Sequence, residues 1–551
     1  MYFTLNIKQT FAERIKKFVA KFSPEKWVVL FGTIFAAVAS AYYYHKGWII
    51  AYGDAESHLN IAKRVVDSLT PGFAQLGGIW LPLPHLLLVP FVYFDPLWHS
   101  GLAGSIVSGI CFIVSALYLY KTAYLLTKSQ IAGFVAAAVF ITNPNILYLQ
   151  STPMTELTLI VFFIISSYYF IKFLENQNDL LAFLAAAFFG FLAALSRYDG
   201  WALVLMEAGI LFLLYLPWKK IPHTFEEIKT YWDTKRYQLM EGRLVMFCTV
   251  TFFAIFIWLG WDWLILGDPL YFTHSQFSAA SQQASWLARG ELPAYHNVWQ
   301  AFLYYFITSM SNIGVLLFSV SLLGLSYYLF SNKDKKRWYI LLILLVPFIF
   351  NAATLWLGQS VIFTPDLPKA GYDWQLFNVR YGVQMVPTAA ICISYLFYKV
   401  KDAGKVFIVI LAVFQIGLYV VGYSKVTTLD DGINGLSSEV SKLPDAQNFI
   451  DKNYDGGLVL EDDFARTISI VRSPIPMQDV IYVGNKPYWQ DSLVQPEKYA
   501  TWIVMQQNDA VWNALYANST MQGQLYKYFI KEYTSPTILI FKRNPNVPEG
   551  S

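Results

Sequence analysis

Apolar residues run through most of this chain in long uninterrupted stretches, not at the periods of an amphipathic helix or strand. A helix needs roughly 20 such residues to cross about 30 Å of hydrocarbon. About eleven stretches between Trp27 and Gly422 have this character, beginning near residues 27, 101, 131, 157, 180, 200, 244, 301, 339, 381 and 405. The first starts too far into the chain for a signal peptide and lacks a small-residue cleavage site, so it is expected to remain as a span. Beyond Gly422 the pattern changes to ordinary charge density, with short apolar segments such as "GLVLE", "TWIVM" and "PTILIFKR" separated by helical patterns. Those segments are too short to span and predict a small α/β domain outside the membrane. The expected organisation is a basic cytoplasmic segment at 1–26, an all-α polytopic membrane domain at 27–424, and an extracytoplasmic α/β domain at 425–551.

Composition supports lipid as the main solvent. Only 14% of residues are charged and 56% are hydrophobic, against about 25% charged in soluble domains. The aromatic share of 18% suits rings at the headgroup level or along a sugar-binding cleft. A net charge of +3 gives no case for nucleic acid as a partner. Cys111, Cys248 and Cys392 lie inside apolar runs without metal-ligand spacing and read as ordinary thiols.

Basic residues set the orientation, because short cytoplasmic loops collect Lys and Arg. Lys8, Arg14, Lys16, Lys17, Lys21 and Lys26 precede the first run, which places the N-terminus inside. With alternating spans, Lys121 and Lys128, Lys172, the stretch from Lys219 to Arg243, Lys333 to Arg337, and Lys399 to Lys405 also fall inside. The loops at 45–99, 143–156, 197–200, 266–300 and 358–380 then face outward. The expected location is the plasma membrane of a prokaryote.

The polar chemistry gathers in those outward loops. The first reads "YGDAESHLNIAKRVVDSL", in which Leu59, Ile61, Ala62, Val65, Val66 and Leu69 form one apolar side of a helix from Glu56 onward. This predicts an amphipathic helix lying in the membrane interface. Asp54 and Glu56 open it, where carboxylates also suit the helix dipole. Glu156 stands in "STPMTELTL", Arg197 and Asp199 in "LSRYDGW", and Arg380 in "NVRYGVQMVP", each at an end of an apolar run. Structural roles compete with functional ones: a helix-end charge for Glu156, mutual pairing or snorkelling for Arg197 and Asp199, and an interfacial anchor for Arg380. His58 and His85 read first as hydrogen-bonding interfacial side chains, and Glu207 as a packing residue within a span. Tyr271, His274 and Gln276 belong to a polar and aromatic loop suited to hydroxyl contacts.

The acidic motif Gly53-Asp54-Ala55-Glu56 in the first outward loop, with Glu156 in the second, resembles the GT-C superfamily of membrane glycosyltransferases. The similarity is to the branch that holds protein O-mannosyltransferases and aminoarabinose transferases, and it extends over residues 45–390. Ala55 separates two acids that are adjacent in the O-mannosyltransferases. The resemblance implies a multispan helical fold with long outward loops, a polyprenyl-phosphate-sugar donor and inverting transfer to an acceptor hydroxyl on a glycan, lipid or protein. Displacement at an anomeric carbon needs a base for the acceptor proton, for which Asp54 is the candidate. The departing lipid phosphate needs a cation, and a guanidinium binds its oxygens in pairs. Arg380 is the first choice and Arg197 the second. Glu56 and Glu156 are left either orienting hydroxyls or, with Asp54 and Glu56 as ligands, holding a divalent ion such as Mg or Mn, which some members of the superfamily use. Asp199, His58, His85, Tyr271 and His274 complete the expected substrate-binding set. Two other readings are a transporter or flippase for a lipid-linked sugar, which would use midplane groups such as Glu207, and a scaffold whose C-terminal domain binds a partner.

Overall fold

Helices dominate because a backbone in hydrocarbon must satisfy its own polar groups. The computed structural model describes residues 23–216, 224–232, 234–365, 367–372, 374–439 and 444–547. Lys8, Arg14, Lys16, Lys17, Lys21 and Lys219, which carried part of the orientation argument, lie outside the described residues. The long elements are α1 (Pro24–His45), α2 (Gly53–Val66), α3 (Pro82–Val92), α4 (Leu102–Thr127), α5 (Gln130–Ile141), α6 (Pro144–Leu149), α7 (Glu156–Glu175), α8 (Leu180–Ser196), α9 (Tyr198–Tyr215) and α10 (Lys235–Leu266). There follow α11 (Ala279–Ala288), α12 (Val298–Ile313), α13 (Val315–Ser331), α14 (Arg337–Leu344), α15 (Val346–Trp356), α16 (Val386–Lys399), α17 (Asp402–Val420) and α18 (Thr427–Glu439).

Each expected apolar run is helical, but fewer than eleven are long enough to cross. Among the described residues six helices are, and up to eight if two bent pairs each count once. The α12–α13 pair bends by 113° at Gly314 and the α14–α15 pair by 50°. Helix α5 has 12 residues, α8 has 17 and α16 has 14, all short of a full crossing.

Helix α2 departs most from its expected setting. It was to lie in the interface with one polar side wet, yet Glu56, His58, Asn60, Lys63 and Arg64 are buried along with Leu59 and Ala62. Two parts of the chain cover its polar side: C-terminal residues, where Arg64 Nη2 pairs with Asp463 at 2.7 Å and its guanidinium stacks 3.6 Å from the Tyr482 ring, and the rest of the first loop, where Lys63 pairs with Asp95 at 2.6 Å and His58 bonds to His85.

The three apolar segments of that domain are strands. Its sheet, β1 (Val459–Leu460), β2 (Val480–Ile481), β3 (Trp502–Gln506), β4 (Phe529–Thr534) and β5 (Ile538–Arg543), has the order β2-β1-β3-β5-β4. Strand β1 runs parallel to β2 and β3, while β5 is antiparallel to β3 and β4, with Val504 opposite Ile540. One face, with Val459, Trp502, Val504 and Ile540, continues the core of the membrane domain. The other, with Leu460, Ile503, Met505 and Phe541, packs on its own helices. Burial on both faces explains why these strands read as continuous apolar runs.

Candidate active site

Five of the charges singled out along the chain meet at one end of the helix bundle. Asp54 leaves the first turn of α2, Glu156 is the first residue of α7, and Arg197 is an extended residue between α8 and α9. Its φ of −156° and ψ of 159° break the helical run, so the side chain turns into the space between the helices. The chain then doubles back so closely that a Cβ on Gly200 would lie 2.1 Å from the Ala193 carbonyl oxygen. Arg380 sits on a 3-10 turn, Val379–Met385, that leads into α16.

Arg380 is the hub. Its Nη2 donates to Asp54 Oδ2 at 2.5 Å and its Nε to Glu156 Oε1 at 3.2 Å. Arg197 reaches the same Glu156 oxygen from Nη1 at 3.4 Å, donates to Thr155 Oγ1 at 2.9 Å, and pairs through Nε with Asp199 Oδ2 at 3.3 Å. Tyrosine rings support both cations: Tyr381 lies 5.0 Å from the Arg197 guanidinium and 5.2 Å from that of Arg380, and Tyr52 lies 5.0 Å from Arg380. Glu156 is 0% exposed and its Oε2 has no hydrogen-bond partner among the described residues. Asp54, with 31% of its side chain exposed, is the acid that faces outward. The cluster therefore has a buried floor of opposed charges and one accessible carboxylate. It can hold an anionic group against two guanidiniums while a carboxylate stands beside it.

Asp54 and Glu156 both stand in the first turn of their helices, where the dipole favours an acid, and both also pair with Arg380. Several polar groups without a charge signal also join the site. Asn351 donates to Gln384 Oε1 at 2.9 Å, lies 3.3 Å from the Tyr305 hydroxyl, and faces Asp199 Oδ1 at 3.5 Å. An isolated asparagine inside the apolar run "PFIFNAATLW" was the sequence signal for this position. Asp431 and Tyr52 were not foreseen either.

The other expected site residues are engaged by different partners. Glu56 points away from Asp54, as residues two apart on a helix do, and its Oε1 accepts from Ser469 Oγ of the C-terminal domain at 2.5 Å. Burial there raises its carboxyl above the ordinary range, partly offset by Ser469 and by Arg472. Asp54 and Glu56 are thus held by different partners, Arg380 and Ser469. No group of three or more His, Cys, Asp or Glu side chains suited to a metal occurs among the described residues. His58 and His85 are both buried and bond to each other, Nδ1 to Nε2, at 2.9 Å, with the Trp80 ring 4.7 Å from His58. Burial holds His58 well below its ordinary value, with His85 and the two site arginines adding to the effect, and burial lowers His85 to about 4. The pair is a buried hydrogen-bonded couple, with His58 one turn along α2 from Asp54 and His85 on α3. His274 is 61% exposed and pairs with Asp268 at 2.6 Å. Tyr271 starts the same short turn and lies against the chain at Gly78. Neither touches the arginine cluster in this structure. Glu207 is fully buried in α9, where Ser166 Oγ lies 3.2 and 3.1 Å from its two oxygens.

The model of the dolichyl-phosphate-mannose-protein mannosyltransferase family matches residues 98–232. Among solved structures, ArnT from Cupriavidus metallidurans bound to undecaprenyl phosphate superposes with a TM-score of 0.55 at 11% identity, over 95% of this chain and 99% of that one. The chain has the ArnT-like GT-C fold. The apo form of ArnT from the same organism gives a TM-score of 0.52 at 12% identity, over 94% and 97% of the two chains. The oligosaccharyltransferase of Archaeoglobus fulgidus, in complex with Zn and sulfate, is more distant, with a TM-score of 0.44 at 11% identity over 95% of this chain and 74% of that one. No curated protein sequence matches the chain. The GT-C resemblance read from Asp54, Glu56 and Glu156 is therefore matched at the level of the fold, and the chain is an integral membrane protein. The family-matched segment contains Glu156, Arg197 and Asp199, while Asp54 and Arg380 reach the same cluster from outside it.

Proposed function

We propose that this chain is an inverting glycosyltransferase that moves a sugar from a polyprenyl-phosphate donor to an acceptor hydroxyl of a glycan, lipid or protein on the non-cytoplasmic side of the membrane. The observation that carries the reading is the meeting of Asp54, Glu156 and Arg380 in one ion-paired cluster from three distant stretches of chain. The co-structure of ArnT with undecaprenyl phosphate supports a lipid-phosphate donor for a chain of the same fold.

In this reaction the acceptor O–H lies against Asp54, whose carboxylate takes the proton as the oxygen bonds to the anomeric carbon. The bond from that carbon to the phosphate oxygen breaks, and its electron pair leaves with the polyprenyl phosphate. Arg380 engages Asp54 through Nη2 and Glu156 through Nε, and its remaining N–H donors suit the phosphate oxygens. Phosphate bound there draws Arg380 from Asp54, which leaves the carboxylate free to act as base. Glu156 is the fixed counter-charge that orients both guanidiniums, a preorganised arrangement that does not need to be rebuilt during reaction. A divalent cation, when bound, would supply Lewis-acid stabilisation to the phosphate. Glu56, held by Ser469, has a supporting place in this scheme.

The test is transfer by the purified protein in detergent from a panel of undecaprenyl-phosphate-linked sugars to lipid, glycan and peptide acceptors. Asp54→Asn should abolish transfer while leaving undecaprenyl phosphate binding in place. Full transfer by that variant removes Asp54 from the role of base, and movement of a lipid-linked sugar across sealed vesicles without bond formation supports a flippase instead.

A further inference from the structure

The helix beyond the last long span reaches back into the charge cluster. The first turn of α18 is fastened to α6 by Asn145, whose Oδ1 accepts from the Thr428 backbone N–H at 3.1 Å and from the Thr428 hydroxyl at 3.0 Å. Asn145 is itself fully buried and donates to the Asn312 carbonyl at 3.0 Å. The next turn packs too closely for any side chain at Gly432, where a Cβ would stand 2.5 Å from the Tyr148 hydroxyl and 3.2 Å from the Tyr52 ring. This register brings Asp431, only 5% exposed, to the Tyr52 hydroxyl, which donates to Asp431 Oδ2 at 3.2 Å and to the Thr428 carbonyl at 2.6 Å. The same Tyr52 ring lies 5.0 Å from the Arg380 guanidinium, and the backbone N–H of Arg380 also faces the Asp431 carboxylate.

We propose that Asp431 is a positioning residue of the site: through Tyr52 and the Arg380 backbone it sets the direction in which the Arg380 guanidinium points. The inference rests on the transferase reading above. It adds a fourth carboxylate to the cluster, from a part of the chain that the charge pattern assigns to the extramembrane domain. Asp54, Glu156, Asp199 and Asp431 then face Arg197 and Arg380, four acids to two bases. The groups facing Asp431 are Tyr52 just before α2, Asp54 from α2, Arg380 from the 3-10 turn, and Tyr148 from α6; Asp430 beside it is half-buried near Lys425. Desolvation, opposed by Arg380 and Tyr52, raises the Asp431 carboxyl to about 6. Its anion is the stronger acceptor for Tyr52 O–H and Arg380 N–H, so positioning weakens as pH falls through that value.

The experiment uses full-length protein and the variants Asp431→Asn and Asp431→Ala. Undecaprenyl phosphate is the binding probe, and kcat and KM are followed from pH ~5 to ~8. Misorienting a phosphate-binding guanidinium should weaken probe binding and kcat/KM about tenfold or more in Asp431→Ala. Asp431→Asn, which keeps an acceptor for Tyr52, should stay within about threefold at neutral pH and lose the fall in kcat near 6 that the native protein has. If the alanine variant does not fold, the pH profile of the asparagine variant decides alone. Native-like binding by Asp431→Ala, or superimposable pH profiles, overturns the proposal. Failure of the native protein to bind the probe is a failure of the transferase reading. The inference is then judged by thermal unfolding: a carboxyl raised in the folded state stabilises at low pH, and the native protein should lose stability relative to Asp431→Asn as pH rises from ~4 through about 6. Parallel curves refute it.

Discussion

Replacing Arg380 with glutamine tests the cluster at its hub. The change leaves Glu156 fully buried, with Arg197 at 3.4 Å as its remaining ion-pair partner and nothing on Oε2. Removing one member of a buried pair costs about 3–5 kcal/mol, because the other charge stays desolvated. Arg197 keeps the loss toward the lower end. The bond to Asp54 adds little, up to about 1 kcal/mol, since that carboxylate is partly in water. Loss of the contacts with Tyr52 and Tyr381 adds roughly 0.5–1 kcal/mol each. Arg380→Gln should therefore destabilise the protein by about 4–6 kcal/mol, while Arg380→Gln combined with Glu156→Gln, which removes both charges, should recover about 2 kcal/mol of that. Denaturant titrations in mixed micelles, run as a double-mutant cycle, measure both figures. Coupling between the two substitutions below ~0.5 kcal/mol would refute a buried Arg380–Glu156 pair. Activity must separate from stability in the same series: the double variant regains fold but lacks the cation for phosphate, so transfer should remain absent.

Three further outcomes follow from the same geometry. Arg380→Lys keeps the charge but not the planar fork that reaches Asp54 and Glu156 together, so kcat/KM should fall about 10- to 100-fold with the fold intact, as steady-state transfer assays would record. Glu56→Gln retains a partner for Ser469 and should leave transfer within about threefold. Since burial raises the Glu56 carboxyl, its stabilising protonated form is present at low pH and is lost as pH rises above ~4.3; the glutamine variant should flatten that part of the stability curve. His58 and His85 are held below their ordinary values, so the stability of their neutral couple is present above pH ~6.5 and falls as pH drops toward about 4. Thermal unfolding of His58→Gln with His85→Gln should lose that acid sensitivity, and an unchanged curve would show that the couple does not govern it.

Much of the fold could be read from the apolar runs, because each run of about 20 residues has one way to satisfy its backbone in lipid. Length was the weak point. Composition marks residues 180–196 as apolar, yet the helix there stops where Arg197 turns inward, and a hydropathy run cannot distinguish a span from a shorter helix packed behind one. In the site, Asp54, Glu156, Arg197, Asp199 and Arg380 were legible because ionisable groups at the ends of apolar runs are costly without partners. Glu56 is engaged apart from this cluster, by Ser469. An acid two residues from another invites pairing with it, whereas 100° per residue on a helix sends the two apart.

What the local pattern could not carry were contacts across the whole chain. Ser469 lies 413 residues from Glu56, and Asp431 lies 379 from Tyr52. Their polar neighbours in sequence look like those of any hydrated surface. Yet these contacts decide how α2 is oriented: Glu56, Arg64 and the Tyr52 cap are gripped by residues beyond the last long span, and Asp54 stands between those grips. A carboxylate on a helix fastened on both sides keeps its place against Arg380 without spending its own hydrogen bonds on the fold. In the proposed reaction Arg380 leaves it for a phosphate without loosening α2, so the same acid serves first as a counter-ion and then as a base.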